Sequence, residues 1–184
     1  MKTLPTELTI VERAIAFAVR AHAGQYRKDS AAPYVVHPVE VLKRVADLGI
    51  TDPEMLAAAA LHDVVEDTGV ELPEIEAEFG PRVARWVDEL SYEPDKDGSK
   101  ADYMASFGSS SVEALVLKLC DRAANVDDYG RGRPGYVPAY SGKALSLYEA
   151  VDARGDEIRA AFGAALAERA AAESVRLRAL AATD

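Results

Sequence analysis

The stretch from Leu61 to Thr68, "LHDVVEDT", follows "MLAAAAL", a run apolar enough to be the inside of a helix. It puts His62 next to Asp63 and adds Glu66 and Asp67 within one further turn. Charged groups are costly to bury unless something compensates them. On a continuous helix, residues four apart share a face, so Glu66 is expected one turn beyond His62, and Asp67 one turn beyond Asp63, about 6 Å along the axis. His62 and Asp63 would then be free to hold one metal ion while Glu66 and Asp67 face water beside it. The same spacing fits a solvated acidic helix end with a satisfied core histidine. The alanine run tips the balance, because a buried His-Asp pair with acidic neighbours needs a cation or a protonation shift.

Apolar residues recur at helical spacing on both sides, at Ile10, Ala14, Phe17 and Ala21, and at Val39, Leu42, Val45 and Ala46. No alternating strand pattern, internal repeat or sustained heptad is visible, so the expected fold class is all-α, a helical bundle. "PVEVLKRVADLG" should start with Pro38 at the first helical position and stop at Gly49, and Thr51-Asp52-Pro53 should open the helix running to His62. "LPEIEAEFG" is read as a helix broken at Gly80-Pro81 before "RVARWVDELSY", where Trp86 is expected in the core. The Gly-, Ser- and Asp-rich segment from Glu93 to Ser111 is expected as a surface excursion with a short helix near Tyr103. "YGRGRPGYVP" is read as a loop, followed by one helix over about 140–153 and a C-terminal helix over about 155–181, whose apolar face awaits either core or a second copy.

With 184 residues, the chain suits one domain over 1–184, and that size buries roughly 70% of the unfolded surface without a staple. Cys120 is the only cysteine, which excludes an internal disulfide or a Cys-rich zinc module and makes the cytoplasm the expected compartment. Glu7 and Glu12 interrupt what would be the apolar segment of a secretory signal, and no run reaches the roughly 20 apolar residues of a membrane span. A net charge of −10 argues against long nucleic acids as partners. A small anion remains admissible where a metal or a local basic cluster reverses the sign.

A second polar stripe runs through the apolar "SVEALVLKLCDRAANVDD", where Lys118, Asp121, Asn125 and Asp128 recur at three- and four-residue steps. It is either the outside of the helix or, given the apolar residues around Asp121, part of a site. Two of the three histidines, His22 and His37, flank "GQYRKDSAAPYVV", whose Arg27 and Lys28 form a basic spot suited to phosphate, with Arg27 also able to stack on a base.

Taken together, "AHAGQYRKDSAAPYVVHPVEVL", "AAALHDVVEDT" and "LVLKLCDRAAN" resemble the hydrolase domain of the RelA/SpoT family, and by size its stand-alone small alarmone hydrolases. The blocks come in the family's order over about 6–153. The resemblance implies an HD-type helical bundle around one metal ion, commonly Mn²⁺. Carried over by motif, His37, His62, Asp63 and Asp121 match the metal ligands, and Glu66 and Asp67 the acidic pair that handles the attacking water. Arg27 and Lys28 match the basic pair near the nucleotide, Asn125 the contact to its sugar region, and His22 a supporting position. Two imidazoles and two carboxylates suit Mn²⁺ better than a thiolate-loving metal.

The implied reaction is hydrolysis of the 3′-pyrophosphate of guanosine tetra- or pentaphosphate, with pyrophosphate and GDP or GTP as products. Asp127 stands where the family often has a basic residue, and "KDGSKADYMASFGSSS" lacks much of the positive charge often found there. Another nucleotide phosphate, such as NADPH or a nucleoside monophosphate, is the alternative substrate. A non-catalytic nucleotide-sensing module is a further one, set against the complete ligand set. Homo-oligomerisation is left open.

Overall fold

A computed structural model describes residues 8–28 and 31–183. Glu7 and the Asp29-Ser30 part of the basic segment lie outside the described residues, as does the start of the family-like region. The chain order is α1 (Ile10–Ala21), α2 (Val36–Asp47), α3 (Pro53–Leu61), α4 (Val64–Asp67), α5 (Leu72–Phe79), α6 (Pro81–Leu90), α7 (Pro94–Asp97) and α8 (Lys100–Ser106). It continues with α9 (Val112–Gly132), a 3₁₀ turn at Pro134–Tyr136, α10 (Val137–Gly142), α11 (Leu145–Ala153), α12 (Gly155–Phe162) and α13 (Ala164–Ala181). The described residues form no strand, only an isolated bridge between Tyr26 and Pro33, so the all-α expectation holds.

Local chemistry sets the helix starts. Thr9 caps α1 in a reciprocal box with Glu12, its hydroxyl accepting from the Glu12 N–H at 3.2 Å while the Thr9 N–H donates to Glu12 Oε2 at 2.7 Å. Asp52 caps α3 by accepting from the Glu54 N–H at 2.9 Å, with Pro53 at the first helical position. Gly80 (φ +89°) and Gly163 (φ +88°) stand between successive helices in the left-handed region that a side chain disfavours.

The core is built around two buried rods. Ala57, Ala58, Ala59, Ala60 and Leu61 of α3 are fully buried where α1, α2 and α6 pack on it, and the small methyl groups let three helices approach one. In α9, every residue from Ala114 to Ala124 is buried, against α2, α6, α10, α11 and α13. Trp86 is fully buried, as expected. The face of α13 carrying Leu166, Ala170, Ser174 and Leu177 is buried against the chain's own α10, α11 and α12, so it belongs to the core.

Several sequence expectations are corrected. The helix of "LHDVVEDT" is not continuous: α3 stops at Leu61 and α4 restarts at Val64. His62 Nδ1 donates to the Ala59 carbonyl at 2.9 Å. That is the acceptor which the Asp63 N–H would use in a continued helix, so side chain and backbone compete there. Helix α2 starts at Val36, which places Pro38 third rather than first. The "YGRG" part of the expected loop prolongs α9, because Tyr129 packs edge-on to Tyr136 (5.0 Å) and against Tyr140 (4.7 Å). The helix expected over 140–153 is two, split at Lys143-Ala144, and the C-terminal one is two, split at Gly163. The Glu93–Ser111 segment is exposed over most of its length and carries the expected short helix, α8, but Tyr103 (3% exposed), Met104 and Phe107 anchor it in the core.

Candidate metal centre and nucleotide cavity

Three separated segments converge. His37 comes from the first turn of α2, His62 and Asp63 from the break after α3, and Asp121 from the middle of α9; all four are buried. One ligand-type atom each of His37, His62 and Asp63 lies within 4.8 Å of the other two. Asp121 is not in that mutually close triple, but its Oδ1 is 3.1 Å from His37 Nε2 and 3.6 Å from His62 Nε2. His62 Nε2 is buried and lacks a well-directed hydrogen bond, while Nδ1 is committed to Ala59. A hydrogen bond that fixes one ring nitrogen as donor and leaves the other lone pair bare is how proteins prepare a metal-ligating imidazole. The donor set therefore fits a divalent cation, as the HD fold implies.

The electrostatics point the same way. Burial works against charge on His62, but the Asp63 and Asp121 carboxylates outweigh it and raise its pKa to about 10. Burial likewise opposes ionisation of Asp63 and Asp121, yet His62 holds Asp63 low, and Lys118 with the imidazoles holds Asp121 well below the carboxylate range. Lys118 Nζ lies 2.9 Å from Asp121 Oδ2, which leaves Oδ1 facing the histidines. The pocket thus demands positive charge at its centre. Cys120 is next in sequence but not in function, since burial pushes its thiol up to about 12.

Around this centre lies a cavity of about 650 Å³, large enough for a nucleotide. Glu66, Asp67, Arg27, Lys28 and Asn125 all line it, beside Asp63 and Asp121. Arg27 forms a fork to Asp128 Oδ2 (3.0 and 2.7 Å) and donates to Asn125 Oδ1 at 2.9 Å, which ties the basic segment to α9. Asn125 Nδ2 donates in turn to Asp121 Oδ1 at 2.7 Å. Lys28 is exposed at the rim. Asp67 and Glu66 part company: Asp67 faces Tyr34, while Glu66 Oε2 accepts from the Tyr92 N–H at 3.0 Å. Burial raises the Glu66 pKa above its ordinary value, the direction a general base needs.

Among the cavity residues that escaped the sequence reading, two bear directly on the site. The Tyr34 hydroxyl donates to Asp63 Oδ2 (2.8 Å) and Asp67 Oδ2 (2.6 Å), and its ring packs on His22 at 4.7 Å, which gives His22 its supporting place. Burial and the Asp63 charge push that phenol far above its ordinary pKa, so it stays a donor. Arg122 is the other, 7% exposed and laid 4.4 Å over the Tyr140 ring. The signal for both was adjacency, three residues before His37 and one after Asp121. The local basic cluster required for a small anion is present: Arg27, Lys28, Lys100, Lys118, Arg122 and Lys143 line the cavity. Asp127 does not line it; it pairs with Arg44 (2.6 Å) and Arg176 (2.8 Å) on the opposite side of α9.

The family profile described as "HD domain" matches residues 14–93. Human guanosine-3′,5′-bis(diphosphate) 3′-pyrophosphohydrolase MESH1 is 40% identical over 124 residues, which cover 64% of this chain and 68% of that protein. This chain belongs to the SpoT-like family of HD hydrolases. A guanosine-3′,5′-bis(diphosphate) 3′-pyrophosphohydrolase of Vibrio cholerae is 33% identical over 136 residues, 70% of this chain but 19% of that longer protein. A solved structure of a metazoan orthologue of SpoT, described as hydrolysing ppGpp, matches with a TM-score of 0.71 at 28% identity, over 96% of this chain and 99% of that one. The family fold therefore extends across the described helices, well past the residues that the HD profile covers. No helix among the described residues is long and apolar enough to cross a membrane.

Proposed function

We propose that this chain hydrolyses guanosine 3′,5′-bis(diphosphate) or its pentaphosphate counterpart at the 3′-pyrophosphate, releasing pyrophosphate and GDP or GTP. His37, His62, Asp63 and Asp121 hold one divalent cation, and the mixed nitrogen and oxygen donors favour Mn²⁺. The observation that carries the reading is the buried His62 Nε2, without a well-directed hydrogen bond and ringed by His37, Asp63 and Asp121, of which the two carboxylates line a cavity with Arg27 and Asn125 at its wall.

A divalent cation bound there lowers the pKa of water and offsets phosphate charge. The rest falls to the chain. Glu66, half-buried and raised in pKa, takes the proton of the attacking water. Asp67, held by Tyr34, orients that water. Water oxygen bonds to the phosphorus attached to the ribose 3′ oxygen, the P–O3′ bond breaks, and the 3′ oxygen leaves as a hydroxyl with a proton returned to it. Asn125 contacts the sugar region, and Arg27, pinned by Asp128 and carrying Lys28 beside it, positions the base and phosphates. The cytoplasm is the compartment in which such a substrate and a reduced Cys120 would coexist.

The test is a panel of guanosine tetraphosphate, NADPH and a nucleoside monophosphate with Mn²⁺, run in ¹⁸O-labelled water. Pyrophosphate carrying the label and unlabelled GDP from the first substrate, at the highest kcat/KM, are expected. Preferred release of inorganic phosphate from NADPH would contradict the substrate assignment. Binding that persists under chelation without any product would favour the sensing module.

A further inference from the structure

Arg122 is buried at the cavity wall, and no carboxylate of the described residues pairs with it. Its Nε has no hydrogen-bond partner, its Nη2 meets only the Met104 sulfur at 3.3 Å, and its guanidinium lies over Tyr140. A ring face returns only a fraction of what burying a guanidinium costs, so an anion is missing from this arrangement. The other cavity cations differ. Lys118 is bound to Asp121, Arg27 to Asp128, and Lys100 reaches toward Glu66 at 3.9 Å.

Helix geometry says which part of a substrate Arg122 would meet. On α9, Asp121 and Asn125 are one turn apart and form the column that faces His37 and Arg27. Lys118 and Arg122 are also one turn apart and form the neighbouring column, which faces Tyr103, Met104 and Tyr140. If the sugar and base lie along the first column, the pyrophosphoryl group at the cation has the second column beside it. We infer that Arg122, with Lys118 one turn before it, seats the pyrophosphate that the reaction releases, chiefly its distal phosphate. This inference rests on the proposed hydrolysis for its substrate, but the seat itself is a diphosphate-binding site that can be measured without turnover.

Inorganic pyrophosphate is titrated calorimetrically into the purified chain, with divalent metal in excess and again after chelation. Arg122→Gln should weaken binding on the order of 10- to 100-fold in excess metal, the range of a charge-assisted hydrogen bond, and Arg122→Lys by less. Pyrophosphate product inhibition of guanosine tetraphosphate turnover should weaken in parallel. The 5′-diphosphate of the same substrate has the same chemistry, so the comparison is repeated with the 5′-monophosphate, 3′-diphosphate analogue. A KM penalty of Arg122→Gln equal for both nucleotides supports the seat. A penalty that disappears with the shorter 5′ chain, with pyrophosphate binding unchanged, overturns it in favour of a 5′ contact. Wild-type pyrophosphate affinity in Arg122→Gln also overturns it, whatever the turnover. Should Arg122→Gln not fold, Arg122→Lys carries the test, and undiminished pyrophosphate affinity there is the overturning result. If pyrophosphate binding depends on Arg122 while the wild-type chain leaves guanosine tetraphosphate intact, the hydrolytic reading falls and the seat stands.

Discussion

Replacing Lys118 by methionine separates the charge balance of this site from its packing. The ammonium is almost fully buried and lies 2.9 Å from Asp121 Oδ2. At an effective dielectric constant of about 20, that contact amounts to roughly 6 kcal/mol of Coulomb attraction. Burial alone would discharge the lysine, yet the Asp121 carboxylate, with Tyr103 and Asp63 behind it, holds it charged well above its usual pKa. Methionine fills most of the volume but leaves Asp121 buried without its partner, a loss of about 3–5 kcal/mol where measured elsewhere. For a domain of this size each kcal/mol shifts Tm by about 2–4 °C. After chelation, Lys118→Met should therefore melt roughly 6–20 °C below wild type. A divalent cation beside Asp121 would supply the missing compensation, so saturating metal should recover more than half of the loss. Thermal unfolding of both proteins, with chelator and with excess Mn²⁺, gives the four values. An equal loss in both conditions would refute the idea that metal and Lys118 neutralise the same carboxylate.

Other perturbations report on separate parts. Asp63→Ala should lose both bound metal and turnover, read by metal analysis beside kinetics; full activity would reject the ligand assignment. Glu66→Gln should retain the metal and lose on the order of 10²–10⁴ in kcat, the usual contribution of a positioned general base. Because burial raises the Glu66 pKa and the ionised form is the one that accepts a proton, the wild-type rate should fall on the acid side above the ordinary glutamate value of 4.5, and Glu66→Gln should abolish that limb. Persistence of the limb in the variant would assign it to another group. Tyr34→Phe keeps the ring on His22 but removes the donor to Asp63 and Asp67, so metal affinity or rate should drop about 10- to 100-fold with little change in Tm.

The sequence made the helical class and the core alanine run legible, and His62 with Asp63 conspicuous as buried charge among apolar neighbours, whereas the grouping of His37 and Asp121 with them rested on the family resemblance alone. Its helical-wheel logic for "LHDVVEDT" was only half right. Glu66 and Asp67 do line the cavity with Asp63, but through a helix break in which the His62 side chain takes the Ala59 carbonyl. Such competition between side chain and backbone leaves no periodic trace. The Gly- and Pro-rich composition of "YGRGRPGYVP" suggested a loop, whereas edge-on and tilted tyrosine contacts prolong the helix through Gly132, a case of tertiary contacts overriding propensity. Asp127 shows the converse. A charge reversal that cast doubt on anion recognition lies outside the cavity, where Arg44 and Arg176 bind it to α2 and α13. Arg122 was hidden because an arginine after an aspartate reads as a surface pair until burial is known.

The most direct test of the account is to strip the purified chain of metal, add Mn²⁺ back in steps, and follow pyrophosphate release from guanosine tetraphosphate. The account predicts negligible release after chelation and recovery that saturates at one equivalent of cation per chain, with no recovery in Asp63→Ala. Release that survives chelation, or that Asp63→Ala sustains, would contradict it.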